Sequence, residues 1–194
     1  MNDQVQQAIK ILKEGGIVIF PTDTVFGIGC RLDNEESLKR LFRIRNRPEE
    51  KAVLVVVDSV EMAKEYVAIS KEVTSELINR YWPGGLTIVL PCNIEKIPSI
   101  ARGGGSTLGV RQTNNPVLLE LIYGAGVPLV APSANFAGES TPKIFDDINK
   151  NLLALVDYAI DLPSGGNVAS TVIDCSITPW KILRQGVVHI QNLE

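Results

Sequence analysis

Apolar residues recur along this chain at two spacings, one helical and one of short continuous runs, and the two alternate. Val5, Ala8, Ile9 and Leu12 fall on one face at helical period, which predicts a helix over 3–14 stopped by Gly15-Gly16. Ile17 to Phe20 reads as a buried strand closed by Pro21. Asn34 is placed to cap a second helix, whose stripe of Leu38, Leu41, Phe42 and Ile44 runs up to Pro48. The uninterrupted run Ala52–Val57 predicts a strand covered on both faces. Two helices follow at 59–67 and 70–81, and Trp82-Pro83-Gly84-Gly85 forms a turn. Strands are expected at Leu86–Leu90, Thr107–Arg111 and Val127–Ala131, with a helix from Pro116 to Tyr123 before the last of them. A helix at 143–150 and three short strands near 156–160, 170–174 and 181–184 complete the pattern.

Several of these strands have no helix between them. That irregularity favours an α/β (α+β) class, a twisted, mixed open sheet of about seven strands with helices on its faces. No repeat or linker divides the chain, so residues 1–194 read as a single domain.

Composition narrows the chemistry. With 45% hydrophobic and 21% charged residues over 194 positions, the chain can bury a core without disulfides or metals. Cys30, Cys92 and Cys175 form no C-x-x-C pair, which fits a reducing compartment and argues against a thiolate metal site. One histidine, His189, leaves no material for a histidine metal site or a Ser-His-Asp triad. The N-terminus has no apolar signal region, and no apolar run approaches the ~18 residues of a membrane span. The expected location is cytoplasmic, with no membrane contact and no resident metal. A net charge of −3 disfavours a broad basic face for nucleic acid. The cations nevertheless cluster at Lys39, Arg40, Arg43, Arg45, Arg47 and Lys51, either as a solvated helix face or as the lining of a small-anion site.

Three polar segments leave predicted strands or helices where open sheets bind ligands. The first, 20–29, carries Thr22, Asp23 and Thr24, which would otherwise simply cap a turn. In the second, Arg45 to Lys51, guanidinium forks and a mobile ammonium suit phosphate oxygens. The third, 130–142, combines Ser133, Asn135 and Thr141 with small residues that let a ligand approach the backbone. Thr107 and Arg111 lie four apart on one strand and so on one face, and a buried arginine there needs an anionic partner. Ser170 and Arg184 are lesser candidates, and Gly103–Gly105 reads as a flexible hinge. There is no P-loop and no dinucleotide fingerprint.

Read in order, PTDTVFG, RNRP with its following lysine, WPGGLT, GVR, APSANFAGES, STVID and ILRQG resemble the YrdC-like threonylcarbamoyl-AMP synthase family, from about Gly15 to Gly186. The resemblance implies that ATP, L-threonine and bicarbonate give threonylcarbamoyl-adenylate and pyrophosphate. A separate threonylcarbamoyl-transferase complex would then modify tRNA. It also implies that Arg47, Lys51, Thr107, Ser133, Thr141 and Arg184 contact ATP, and that Thr24, Arg111, the Ala131 backbone and Ser170 hold threonine. Arg45, Arg47, Ser133 and Asn135 would form the catalytic set, with Mg2+ arriving on the ATP. Arg45 stands at the family's usual lysine and Ala52-Val53 at its proline-leucine. Val56 replaces a histidine near the threonine side, where an apolar wall is expected. Two other classes fit the same motifs: a non-synthase paralogue that binds nucleotide, tRNA or double-stranded RNA weakly, and a carbamoyl-adenylate enzyme using carbamoyl phosphate.

Overall fold

In the computed structural model, which describes residues 2–190, helix α1 (Asp3–Lys13) starts where the Asn2 side chain accepts a hydrogen bond from Gln4 N at 2.9 Å. Met1 and 191–194, the ends of the expected domain, lie outside the described residues. The buried face of α1, formed by Val5, Ala8 and Leu12, packs on Leu118, Leu121 and Ile122 of a later helix. Helix α2 (Glu35–Ile44) begins as expected at Asn34, whose side chain accepts from Ser37 N at 3.0 Å, and buries Leu38, Leu41 and Phe42.

The class is mixed α/β, with nine strands among the described residues, against the expected seven, in two sheets. The smaller sheet has the order β2-β1-β7, with β1 (Val18–Phe20) antiparallel to β2 (Gly27–Gly29) and parallel to β7 (Tyr158–Ala159). In the larger sheet the order is β6-β3-β5-β4-β8-β9, from β3 (Leu54–Val57), β4 (Leu86–Pro91), β5 (Thr107–Gln112), β6 (Leu129–Val130), β8 (Thr171–Asp174) and β9 (Lys181–Arg184). Helix α3 (Val60–Tyr66) follows β3, and α6 (Pro116–Ala125) joins β5 to β6. The helix expected over 70–81 is interrupted: α4 (Lys71–Val73) passes through a π-helical turn (Thr74–Ile78) into α5 (Asn79–Tyr81). The helix expected at 143–150 is a 3-10 turn (Phe145–Asp147) followed by α7 (Lys150–Leu153), because Asn149 caps a new start by accepting from Asn151 N.

Strand β2 had no sequence signal, being two glycines around one isoleucine. Glycine is required there by contact: a Cβ on Gly29 would stand 1.7 Å from the Val130 carbonyl oxygen. This close approach lets residues 28–32 bond to the 128–132 segment, with Ile28 N donating to Pro132 O at 2.9 Å and Val130 N to Cys30 O at 3.0 Å. The two sheets are thereby stitched along one line. Gly103 and Gly104, expected to form a hinge, hold left-handed φ values of 59° and 74° in a hydrogen-bonded turn packed under Glu50 and Ala52.

Gly29→Ala tests the stitch. A backbone clash has no rotamer that relieves it, so a loss of at least about 2 kcal/mol is expected, the middle of the overpacking range. Urea unfolding should show a lowered midpoint at unchanged slope; an unchanged midpoint contradicts the close approach.

Candidate functional site

Along the larger sheet, alternate residues face opposite ways. Leu108, Val110, Ile88, Leu90 and Ile173 enter the main core. Their neighbours Thr107, Gly109, Arg111, Thr87, Val89, Val172 and Asp174 face the other way and line a cleft. The cleft has a volume of about 450 Å3. Its walls come from the 22–27 loop, from Arg45 and Arg47 after α2, from 131–133 after β6, and from Ser170, Leu183 and Arg184 on the β8–β9 side.

The loop after β1 is held by its own hydroxyls. Thr22 Oγ1 donates to Val25 O at 2.7 Å and accepts from Thr24 N at 3.0 Å. Its single proton is thus committed, so in the 3.0 Å contact between the two hydroxyls Thr24 is the donor. Thr24 Oγ1 therefore turns lone pairs to the cleft and is ready to accept an N–H. Behind the loop, Gly165 and Gly166 press on the backbone of 22–24, where a Cβ at 166 would come within 2.8 Å of Thr24 O.

The cations differ in how far they are already satisfied. Arg111, 1% exposed, pairs with Asp23, and Thr113 also donates to Asp23 at 2.7 Å. Arg184 donates through Nε to Ser170 O and through Nη2 to Ser170 Oγ, both at 3.1 Å, while Thr87 Oγ1 lies 2.9 Å from the same hydroxyl. Arg47 grips the backbone carbonyls of Lys51 and Ala52 and lies over the Phe42 ring at 6.0 Å. Arg45, 4% exposed, makes one bond, Nε to Asn135 O at 3.1 Å, and its buried Nη1 has no partner. Burial, reinforced by Arg47, pushes the Arg45 pKa down to about 10. Burial also lowers those of Arg47 and Arg184, the latter with help from Arg111. Three guanidiniums without a carboxylate partner, each destabilised as a cation, make a site that gains by taking a polyanion.

None of the three cysteines lines the cleft. Burial and neighbouring carboxylates push Cys30 and Cys175 up to about 12. No group of three or more His, Cys, Asp or Glu side chains that could hold a metal occurs among the described residues.

The model of the Sua5, YciO and YrdC proteins, described as telomere recombination, matches residues 10–186. A relative from Bacillus subtilis (strain 168) named threonylcarbamoyl-AMP synthase is 30% identical over 98% of this chain and 56% of its own length. Another of that name, from Pseudoalteromonas translucida (strain TAC 125), is 32% identical over 89% of this chain and 94% of its own. The crystal structure of P. abyssi Sua5 complexed with L-threonine superposes with a TM-score of 0.88 at 33% identity, over 94% of this chain and 54% of that one. The chain belongs to the Sua5–YciO–YrdC family. It spans about half the length of the B. subtilis and P. abyssi relatives.

Of the residues singled out by the family motifs, Thr24, Arg45, Arg47, Thr107, Arg111, Ala131, Ser133, Ser170 and Arg184 line the one cleft. Lys51, Asn135 and Thr141 do not line it. Lys51 is exposed on the turn after α2. Asn135 is buried, its Nδ2 donating to Phe136 O and Glu139 O and its Oδ1 unpaired, beside a separate hollow of about 370 Å3. Val56 is a correction: it forms no wall of the cleft but is sealed in the second core cluster with Phe20, Leu121 and Leu129. The basic cluster is no free face either, since Lys39 pairs with Glu35 and Glu36, and Arg40 with Asp157. Asp23, read as a turn cap, and Thr87 were given no role; only Leu86 separates Thr87 from the WPGG turn, and alternation with buried Ile88 could have placed it on the open face.

Arg45→Met separates stability from binding. Removing a buried cation with an unpaired N–H should leave stability unchanged or raise it by about 1 kcal/mol. The affinity for ATP should fall about tenfold or more, the loss expected for one charge-assisted contact. Thermal unfolding and calorimetric titration with ATP check the two halves; a matched loss of both would contradict the assignment.

Proposed function

We propose that this chain makes threonylcarbamoyl-adenylate and pyrophosphate from ATP, L-threonine and bicarbonate, the activity named for its relatives. The observation that carries the proposal is one cleft in which under-paired guanidiniums lie across from a pre-set acceptor hydroxyl. Arg45 and Arg47, with the Ser133 hydroxyl, suit the phosphate chain of ATP. Thr24 Oγ1 suits an ammonium and the accessible edge of Arg111 a carboxylate, which together fit an α-amino acid. Ser170, held by Arg184, and the Ala131 backbone complete that half.

The chemistry asks little of individual side chains. Threonine nitrogen adds to carbon dioxide derived from bicarbonate, losing a proton to give N-carboxy-threonine. A carboxylate oxygen then bonds to the α-phosphorus of ATP as the bond to pyrophosphate breaks. Positioning and cationic stabilisation of the phosphorus and leaving group supply the catalysis. Mg2+ would belong to the substrate, arriving as MgATP. A transferase acting on tRNA would consume the product.

Incubation with MgATP, bicarbonate and L-threonine should release pyrophosphate in proportion to threonine, and release without threonine dependence sinks the proposal. Thr24→Ala should raise the threonine KM about tenfold, the cost of one hydrogen bond to a charged group, with the ATP KM nearly constant.

A further inference from the structure

Arg111 lines the cleft and meets the carboxylate in the proposed reaction, whereas its ion-pair partner Asp23 is given no task there. The two form the most completely buried ion pair among the described residues, with side chains 1% and 8% exposed. Pairs so buried seldom stabilise a fold relative to apolar replacements. What this one does is direct a guanidinium.

Both carboxylate oxygens of Asp23 receive Arg111 Nη1, at 2.5 Å. Thr113 Oγ1 donates to Asp23 Oδ1 at 2.7 Å and accepts from Asn115 N at 3.1 Å. Asn115 in turn caps α6 by accepting from Leu118 N, so the carboxylate is braced from a helix start and not only from its own loop. Arg111 Nε is buried without a partner, in register beside Val56, whose side chain offers no acceptor. Nη2 also lacks a protein partner but is not sealed, so it is the edge of the guanidinium that meets the cleft. With Nε idle, Asp23 is the single group that fixes the direction of that edge.

Charge is the second consequence. Asp23 cancels Arg111 and leaves Arg184, which feels Arg111 and holds Ser170, as the one cation of this corner without a carboxylate among the described residues, whereas the Arg45–Arg47 corner has two. A plain carboxylate entering this corner meets the guanidinium edge but also the field of Asp23. A zwitterion adds an ammonium that Asp23 attracts and Thr24 Oγ1 can accept.

We propose that Asp23 is a positioning and specificity-determining residue: through Arg111 and Thr113 it aims one guanidinium edge into the cleft and offsets its charge, so that a zwitterionic amino acid is admitted and a simple carboxylate is refused. This rests on the synthase reading given above, and the measurements separate the two.

The probes are L-threonine and 3-hydroxybutyrate, which is threonine without its amino group, each titrated calorimetrically into the full chain with ATP present. The unaltered protein should bind threonine at least about 100-fold more tightly than 3-hydroxybutyrate. Asp23→Asn should weaken threonine and strengthen 3-hydroxybutyrate, narrowing that ratio by about tenfold or more. ATP binding, measured separately, should stay within about threefold, since Asp23 is remote from the phosphate corner in role. A merely structural loss would weaken both probes together and leave the ratio unchanged, which overturns the proposal. Should Asp23→Asn not fold, Thr113→Val removes one brace and retains the charge. Its threonine KM should rise with kcat held, while a proportionate fall in kcat at constant KM would refute positioning. If the unaltered protein binds no threonine at all, the synthase reading fails first and takes this proposal with it.

Discussion

The structure depends on a sheet whose second face stays open over β4, β5 and β8 and is closed at its β3–β6 edge, where Val56 and Leu129 share a core cluster with α6. Period-two alternation sends every second residue of β4, β5 and β8 into the main core and leaves the others on an open surface. A one-residue slip would turn Arg111 and Thr107 into the apolar core and Val110 and Leu108 onto the polar face, so the hydrophobic face fixes the register of the polar one. The forces that fold the sheet therefore also set the spacing of the residues above it. Glycine at 109, in the middle of that floor, keeps the surface low between Thr107 and Arg111.

The cleft is electrostatically divided. At one end Arg45 is buried and Arg47 half-buried, both lowered in pKa and without a carboxylate partner among the described residues; at the other Arg111 is neutralised by Asp23. Such a gradient is costly to maintain in an empty protein, because an unpaired buried guanidinium is worth less than a methyl-bearing side chain in the same space. It suits a ligand that is strongly anionic at one end and less so at the other, as proposed above. ATP and an amino acid, lying side by side, have that distribution.

Much of this was legible in the residues. The capped helices α1 and α2 and the alternating strands followed from spacing alone, and Thr107 with Arg111 was correctly placed on one face. What escaped was what depends on contact between distant segments. Strand β2 has no apolar run, and its glycines make sense only against Val130. Asp23 looks like a turn residue until Arg111, 88 positions later, is seen beside it. Val56 looked like a ligand wall because its motif neighbours are; in three dimensions it faces α6 and the small sheet. Asn135 keeps its motif position but spends its amide on holding its own loop.

The line of hydrogen bonds that stitches 28–32 to 128–132 has one more consequence. Thr24 and Ser133, both lining the cleft, are each only a few residues from that seam, which also includes the bridge between Gly27 and Ser133. The walls cannot part like jaws without tearing backbone bonds from both sheets. These two walls of the cleft thus take their spacing from the packing of one sheet against the other, and a ligand that bridges them is bound by the joint between the sheets.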